Sequence, residues 1–193
     1  MSPTRALIAA GLALIVALST GCAGVVVGGA AASASAASDR RTAGSLIDDQ
    51  LIELKATQFL HEDEALANQV HANFTSYNGL LLISGEAPTE SLKLGVTNLV
   101  SNIPKVRQVY NELTLAAPST LLSRSNDTYL SAKVKTALIA DEYISAHSVK
   151  VVSESGTVFL MGLVTRSEAD RVTQVVRQVK GVQRVVKLFE YVS

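Results

Sequence analysis

Residues 126–138 read NDTYLSAKVKTAL, and residues 48–60, which read DDQLIELKATQFL, carry the same pattern earlier in the chain. Each stretch has Asp within its first two residues, a residue favoured at the start of a helix, and then places apolar residues at helical spacing. Two pairs of downstream glycines keep one spacing of 77 residues, Gly79 with Gly156 and Gly85 with Gly162. Because this period is too long for the unit of a solenoid, the chain is predicted to contain one small domain twice.

The sequence pattern of each copy predicts a helix, two strands joined by a tight turn, a second helix and a last strand. The first turn is Tyr77-Asn78-Gly79, where Asn-Gly is a strong hairpin signal, and the second is Glu154-Ser155-Gly156. We expect positive φ at the turn glycines, Gly79 and Gly156, and a close approach of backbone at Gly85 and Gly162, which end the return strands. The predicted fold class is α+β: two tandem domains, each helix–strand–strand–helix–strand, with a three-stranded sheet packed on two helices.

The predicted domains cover residues 44–117 and 127–193, with residues 118–126 as the linker between them. In the first helix, which Ser45 or Asp48 caps, the residues expected on one face are Leu51, Ile52, Phe59 and Leu60. The predicted elements of the first domain are helix 48–61, strands 72–76 and 80–84, helix 90–102 and strand 106–115. Those of the second are helix 127–139 capped by Asp127, strands 149–153 and 157–161, a helix capped by Thr165 or Ser167 that ends at Val179, and strand 182–192.

The N-terminus has the organisation of an export signal. Arg5 precedes the uncharged run Ala6 to Leu18, and these thirteen residues span about 20 Å as a helix, short of a bilayer core of roughly 30 Å. Leu18-Ser19-Thr20-Gly21-Cys22 resembles a bacterial lipobox, although Ser19 stands where Leu is usual. We therefore expect a lipoprotein signal peptide at residues 1–21, a lipidated Cys22 and a flexible linker at residues 22–43; the alternative is an uncleaved transmembrane helix. By its resemblance to the lipoprotein sorting rule, Ala23 in place of Asp implies sorting to the outer membrane, with the folded part expected to face the periplasm of a Gram-negative cell.

Charge differs between the two copies although the whole chain is formally neutral. Residues 44–117 carry nine acids and four bases (net −5), whereas residues 118–193 carry seven acids and ten bases (net +3). A modest positive balance in one half is weaker than the footprint of a nucleic-acid-binding protein, so no nucleic-acid partner is expected. Cys22 is the single cysteine, which excludes an intramolecular disulfide.

No catalytic constellation is visible in the sequence. The three histidines, His61, His71 and His147, are scattered and are expected to be exposed or capping residues. Glu62-Asp63-Glu64 is predicted to form a solvated acidic loop, since no further ligands stand at metal-binding spacing. We therefore expect no enzyme activity, no metal, no cofactor and no small-molecule substrate.

Three stretches of the second copy carry a family resemblance: Val149-Lys150-Val151 before the turn, residues 158–164 (VFLMGLV) after it, and Val179-Lys180-Gly181-Val182 near the end. They resemble the BON domain. Two such domains behind a lipobox, with Ser125-Asn126-Asp127-Thr128 opening the second, resemble the dual-BON outer-membrane lipoproteins associated with cell division and outer-membrane stress. The resemblance implies binding of anionic phospholipid by the first helix of the second domain, at a place where the family's usual aromatic is Trp and this chain has Tyr129.

The first helix of the second domain accordingly provides the candidate site. Its apolar stripe, Leu130, Val134, Ala137 and Leu138, should face the domain's own sheet. A tyrosine beside lysines suits a membrane interface, because the ring sits at headgroup depth while ammonium groups meet anionic lipid. The residues predicted to bind phospholipid are Arg124, Tyr129, Leu130, Lys133, Val134 and Lys135. The alternative is an ordinary amphipathic helix with Tyr129 in the core and solvated lysines.

A second interpretation is a protein-interaction module that docks an outer-membrane assembly or division complex, with incidental lipid contact. The strand 182–192 is rich in β-branched residues and is a candidate edge for another strand, and the acidic face of the first domain is a candidate dock. A third interpretation is a soluble periplasmic stress protein with an unlipidated Cys22.

Overall fold

The computed structural model describes residues 39–193, and these form one compact unit that contains both domains. The predicted α+β fold class is confirmed. The first domain consists of α1 (Ala43–Glu62), α2 (Glu64–Ala67), β1 (His71–Tyr77), β2 (Leu80–Ala87), α3 (Glu90–Val100), β3 (Gln108–Asn111) and β4 (Thr114–Leu115). The second consists of α4 (Leu121–Ile139), a 3-10 turn (Ala146–Ser148), β5 (Val149–Glu154), β6 (Thr157–Val164), α5 (Arg166–Arg177) and β7 (Arg184–Tyr191).

Both sheets have the same topology, with a central strand between an antiparallel and a parallel neighbour. In the first sheet, β2 pairs with β1 antiparallel and with β3 and β4 in parallel; in the second, β6 pairs with β5 antiparallel and with β7 in parallel. The first domain has two short strands where one was predicted. The reason is Asn111, whose side chain accepts a hydrogen bond from the Leu113 amide and donates to Thr97 and Lys93, so the chain leaves the sheet there and Leu113 enters the core.

Threonines, not aspartates, cap the two first helices. Thr42 accepts a hydrogen bond from the Ser45 amide, and Thr120 accepts one from the Ser123 amide at 3.3 Å. The predicted caps at Ser45, Asp48 and Asp127 were therefore wrong, and residues 121–126 of the predicted linker are the first turns of α4. The α5 helix begins as expected, because Thr165 and Glu168 form a reciprocal capping box.

The buried face of α1 differs from the predicted one. Ile52, Ala56 and Leu60, spaced by four residues, enter the core, whereas Leu51 is exposed. The segment Glu62-Asp63-Glu64 is a helix boundary and not a loop, since Asp63 accepts a hydrogen bond from the Leu66 amide and thereby caps α2. The Asp63 carboxylate thus has a structural role, while Glu62 and Glu64 are exposed.

The strands β2 and β6 continue through Gly85 and Gly162 instead of ending there. The first turn has φ of 51° at Asn78 and 76° at Gly79, and the second has φ of 47° at Ser155 and 75° at Gly156, as a two-residue hairpin with Asn-Gly favours. A Cβ on Gly85 would lie 2.1 Å from the His71 carbonyl oxygen, and one on Gly162 would lie 2.4 Å from the Ser148 oxygen. Both glycines therefore permit close backbone approach in the middle of a sheet.

Replacing Gly85 by alanine should destabilise the chain by at least about 2 kcal/mol, because Gly85 has φ of 123° and its new methyl group meets backbone. Urea unfolding measures the loss. Gly44→Ala is the matched control: Gly44 lies in the first turn of α1, where an added methyl meets only the Thr42 hydroxyl at 3.7 Å, so no loss is expected. Equal stability of the Gly85 variant and wild type would contradict the proposed clash.

The two sheets pack face to face, with their helices on the outside. Along β2, Leu81 and Ile83 point into the core of the first domain, whereas Leu80 and Leu82 point to the second sheet. A third hydrophobic cluster between the sheets results, and its buried members are Tyr77, Leu80, Leu82, Phe159, Met161 and Leu188. The chain thus has four layers, helix–sheet–sheet–helix, and both faces of β2 are buried.

Polar contacts at the edges of this interface join the domains. The Tyr77 hydroxyl donates to the Ser148 carbonyl oxygen at 3.2 Å, and Lys150 pairs with Glu53 at 2.7 Å. On another edge, Glu190 of β7 accepts hydrogen bonds from Asn78 and Arg107. Apolar contacts are not directional, whereas hydrogen bonds require a specific geometry. These hydrogen bonds therefore fix how the two sheets are positioned on each other.

Two arginines that precede α1 add further polar contacts to each domain. Arg41 pairs with Asp49 of α1 at 2.8 Å and stacks on the Tyr77 ring at 3.9 Å, within the first domain. Arg40 instead reaches the second domain, where it pairs with Glu168 at 2.7 Å and donates to the Leu163 carbonyl oxygen. Two consecutive arginines therefore bind different domains: Arg41 binds the first domain and Arg40 binds the second.

The Arg40 pair should make stability depend on pH. The hydrogen bond from Arg40 lowers the pKa of Glu168 from 4.5 to about 2. Because the folded state holds the lower pKa, this contribution is complete above the unfolded pKa of 4.5 and is lost as the pH falls through about 2. Arg40→Gln should therefore reduce the acid-dependent loss over this window by up to about 1 kcal/mol, as is typical of a partly exposed pair. Urea unfolding across the window measures it, with Arg166→Gln in the same region as control; identical pH profiles for wild type and Arg40→Gln would refute the assignment.

Candidate lipid-binding surface

The α4 helix lies with one face on the second sheet. Leu130, Val134 and Leu138 are buried in the core of the second domain, as the apolar stripe predicted. Leu130 and Val134 therefore have no surface to offer a lipid, and their inclusion among the phospholipid-binding residues was wrong. The stripe stabilises the fold, and any ligand must meet the opposite face of the helix.

The opposite face carries an exposed apolar ridge. Tyr129 is 64% exposed, which excludes the alternative that placed it in the core. Leu122 and Ile139 on the same helix, and Tyr143 just beyond it, are 81%, 69% and 71% exposed. Large apolar side chains exposed together are typical of a surface that binds something. Leu122, Ile139 and Tyr143 were missed by the sequence analysis. The helical spacing of Leu122 and Ile139 from Tyr129 could have indicated those two, whereas Tyr143 lies beyond the helix, where this spacing gives no signal.

Bases flank this ridge. The Lys133 ammonium lies 5.6 Å from the centre of the Tyr129 ring and donates to the carbonyl oxygen of Lys180, which adds a further base nearby. Lys135 is exposed and lies roughly 160° from Lys133 around the helix, so the two lysines border the ridge on opposite sides. At the Tyr143 end, the Arg171 guanidinium lies 5.4 Å from the ring, but it also pairs with Asp141. Uncompensated positive charge is therefore concentrated at the Tyr129 end.

Arg124 points away from this ridge. Its guanidinium donates to the Ser119 carbonyl oxygen and lines a cleft between the domains, together with Asp127 and Glu154. The sequence analysis placed Arg124 with Tyr129 because both belong to one helix. The structure separates them, so Arg124 is removed from the candidate lipid surface.

The interdomain cleft has a volume of about 370 Å³, and both buried acids of the second domain, Asp127 and Glu154, line it. His71 of β1, which also lines the cleft, pairs with Glu86 of β2 at 2.9 Å, and Glu154 of β5 accepts a hydrogen bond from Asn73 at 3.2 Å. Burial, and next the neighbouring Glu86 carboxylate, raise the pKa of Glu154 above its usual value. The prediction that His71 is exposed or capping was wrong, because it is largely buried and paired; His61 and His147 are exposed.

The equivalent first helices differ in charge. α1 carries four acids, Asp48, Asp49, Glu53 and Glu62, against the single strong base Lys55. α4 carries Arg124, Lys133 and Lys135 against the single acid Asp127, which is buried. The exposed face of α4 is thus free of acidic side chains, and an anionic surface would be attracted to α4 and repelled by α1.

The predicted signal peptide, the Cys22 lipidation site and residues 22–38 of the predicted linker lie outside the described residues. Residues 39–43 of that linker are described and do not form a free linker, because Arg40 and Arg41 form ion pairs and α1 begins at Ala43. Within residues 39–193, no helix combines the length and apolar character that crossing a bilayer requires.

The duplicated helix–sheet unit and its hairpin glycines define a chain built from two copies of one small domain. The BON domain profile matches residues 48–117 and 126–193, and the chain therefore belongs to the BON-domain family.

Two relatives resemble the chain over most of its length. It is 37% identical over 173 residues to outer membrane lipoprotein DolP of Haemophilus influenzae, which covers 90% of both chains. It is 34% identical over 155 residues to a 21 kDa hemolysin of Actinobacillus pleuropneumoniae, which covers 80% of both chains. The chain is accordingly an outer-membrane lipoprotein of a Gram-negative bacterium.

Among solved structures, the C-terminal domain of CdsD, a structural protein of the type III secretion system of Chlamydia trachomatis, covers 77% of this chain and 98% of its own. The two are 15% identical with a TM-score of 0.31, and this likeness carries no argument about function.

Proposed function

We propose that the second BON domain binds anionic phospholipid through the exposed ridge of α4, and that the protein thereby supports outer-membrane integrity as a binding protein and not as an enzyme. The observation that carries the proposal is the contrast between the two first helices. α4 exposes Tyr129 beside Lys133 with no acid on that face, whereas α1 carries four acids against the single strong base Lys55.

The magnitude of the attraction fits a tethered protein. Each base near a charged bilayer contributes about 1 kcal/mol, so Lys133, Lys135 and Lys180 together support only weak binding by themselves. The exposed rings of Tyr129 and Tyr143 add apolar contact at headgroup depth. Lipidation at Cys22 would hold the domain at a high effective concentration near the membrane, and weak contacts then suffice.

Co-sedimentation with vesicles tests the proposal directly. The fragment Asp39–Ser193, which is one compact unit, is mixed with neutral and with anionic vesicles at low and at high salt. We expect binding to anionic vesicles alone, weakened by salt because screening shortens the reach of the lysine charges. Absence of binding to either vesicle would refute the proposal and leave the lipid anchor as the membrane contact.

A second candidate function, docking of an apolar helix of an envelope assembly or division protein, rests on α1. Ile47, Leu51 and Leu54 are 62%, 46% and 64% exposed and follow each other at intervals of four and three residues, so they form one apolar stripe. The stripe adjoins a cleft of about 470 Å³ that Leu46 and Lys150 help to line. The negative charge of α1 favours a partner helix with basic flanks.

Photo-crosslinking from position 54 in membranes tests this second candidate. A single dominant protein adduct that persists when Lys133 and Lys135 are both changed to Glu would favour docking as the main function. The predicted edge strand is present as β7, which pairs only with β6 among the described strands, but Glu190 already links it to the first domain.

A further inference from the structure

Three side chains from both domains meet beside the interdomain cleft, which His71 and Glu154 line. His71 and Glu86 come from β1 and β2, and Glu154 comes from the end of β5. One donor atom of each lies within 4.8 Å of the donor atoms of the other two, and all three residues are partly or fully buried. The sequence analysis expected no metal site because these residues are up to 83 positions apart and show no ligand spacing.

A fourth carboxylate in this cleft has an oxygen without a hydrogen-bond partner. Asp127 of α4 is 5% exposed and lines the cleft beside His71 and Glu154. Its Oδ1 accepts one hydrogen bond, from the Gly156 amide at 3.4 Å, while its Oδ2 is buried and accepts none from the described residues. A buried charged oxygen normally has a partner, so this one indicates a ligand.

The equivalent aspartate of the first domain shows what a satisfied carboxylate looks like at this position. Asp49 Oδ1 accepts from the Ser76 hydroxyl at 2.6 Å and the Gly79 amide at 2.9 Å. Its Oδ2 accepts from the Asn78 amide and pairs with Arg41. In both domains an aspartate of the first helix thus accepts hydrogen bonds from the hairpin turn. Only in the second domain does one oxygen of this aspartate, Asp127 Oδ2, lack a partner among the described residues.

The bases that line the cleft do not neutralise it. Arg124 and Lys135 border the same cleft, yet among residues 39–193 neither forms an ion pair with Glu86, Asp127 or Glu154. Two carboxylates and one imidazole therefore lie close together, with Asp127 lining the same cleft, and the Nδ1 of His71 is hydrogen-bonded to Glu86. Because neither base pairs with these carboxylates, their negative charge remains available to attract a cation.

We propose that His71, Glu86 and Glu154 bind a divalent first-row transition metal between the two BON domains, with Asp127 beside it. One imidazole nitrogen and two carboxylate oxygens are ligands that Zn²⁺ accepts, whereas Mg²⁺ and Ca²⁺ prefer oxygen alone. Metal–ligand bonds of about 2.0–2.2 Å place tetrahedral ligands about 3.3 Å apart, so side-chain rotations that draw in the most distant donor atoms complete the set. Asp127 Oδ2 then serves as a fourth ligand or accepts from a metal-bound water.

Such a metal ion joins the two domains, since two ligands belong to the first and one to the second. A ligand that binds only the folded arrangement stabilises it, and above the dissociation constant the stabilisation grows with the logarithm of the ligand concentration. The packed sheets would then separate less readily in the presence of the metal. This inference does not depend on lipid binding, because none of His71, Glu86 and Glu154 belongs to the exposed ridge, although Lys135 borders both the ridge and the cleft.

Calorimetric titration tests the site. The full-length chain, purified without a tag in detergent micelles and treated with EDTA, is titrated with Zn²⁺, and separately with Mg²⁺ and Ca²⁺. We expect one Zn²⁺ per chain, no comparable binding of Mg²⁺ or Ca²⁺, and a higher unfolding temperature with Zn²⁺. Glu154→Gln and His71→Ala should each weaken Zn²⁺ binding at least about 100-fold, more than is usual for loss of a partner that only supports a ligand.

Matched controls and a measurement on the wild-type chain separate the site from other causes. Glu142→Gln and His147→Ala remove an exposed acid and an exposed histidine, and both should bind Zn²⁺ like wild type. If a variant fails to fold, imidazole NMR on the wild type still decides, because the chain has only three histidines. Zn²⁺ should shift the His71 ring signals and leave those of His61 and His147 unchanged. No binding of Zn²⁺, unshifted His71 signals, or full affinity in folded Glu154→Gln would each overturn the proposal.

Discussion

Phe159→Ala should lower the free energy of unfolding by about 3–5 kcal/mol, the usual cost of removing a fully buried aromatic ring. Phe159 is 1% exposed and lies between the sheets against the cluster that includes Tyr77, Leu80 and Leu82. Its strand neighbours Val158 and Leu160 point into the second domain's own core, so the substitution leaves that core intact. Because small domains are stable by only about 5–15 kcal/mol, the loss is a large fraction of the total.

Urea unfolding followed by circular dichroism measures this loss, with Tyr143→Ala as the control. Tyr143 is an aromatic residue of the same domain, but it is largely exposed, so its removal should cost less than about 0.5 kcal/mol. We expect wild type to unfold in one transition, since each sheet is buried by the other. Two separate transitions in wild type, with a loss below about 1 kcal/mol in Phe159→Ala, would mean that the interface contributes little and that the domains fold independently.

Reversing both lysines that border the α4 ridge, Lys133→Glu with Lys135→Glu, should weaken binding to anionic vesicles at least about 100-fold. Each lost base removes about 1 kcal/mol of attraction and each new acid adds a similar repulsion, which together amounts to roughly 4 kcal/mol before screening. Since about 1.4 kcal/mol corresponds to a tenfold change, about 2.8 kcal/mol of this effect is sufficient for a 100-fold loss. Co-sedimentation of Asp39–Ser193 with anionic vesicles at low salt provides the measurement.

A second double variant isolates the position of the charge from its amount. Arg184→Glu with Lys187→Glu changes the net charge equally but places the new acids on β7, where both side chains are exposed. We expect this control to retain binding within severalfold. Circular dichroism must show both variants folded, because Lys133 also bonds the Lys180 carbonyl oxygen. An equal loss in both double variants would assign binding to net charge alone and not to the α4 ridge.

Local signals in the sequence were sufficient for the architecture of each domain. Asn78-Gly79 specified a hairpin because Asn and Gly readily adopt the two successive positive φ angles that this turn requires. The period of Leu130, Val134 and Leu138 specified which side of α4 is buried. Helix starts were less predictable, since Thr42 and Thr120 compete as caps with nearby aspartates, and only the folded chain shows that Asp49 and Asp127 bond to hairpin turns instead.

The run Leu80-Leu81-Leu82-Ile83 contained a signal that the sequence analysis did not use. A strand with one wet face alternates, whereas a continuous apolar run is typical of a strand buried on both faces. The structure shows the consequence, because alternate residues of this run enter the first core and the interface between the sheets. The sequence did not specify what covers the second face of this strand, since many partners can bury an apolar surface equally well.

The sequence by itself determined the duplication, the α+β fold of each copy and the contrast in charge between the two halves, because these follow from spacing and composition within short stretches. Tertiary structure alone decided that the sheets pack face to face, that Arg124 leaves the Tyr129 ridge, and that His71 and Glu86 meet Glu154. The Asn73–Glu154 hydrogen bond joins residues 81 positions apart. No local preference encodes such a meeting, which depends on how two finished domains fit together.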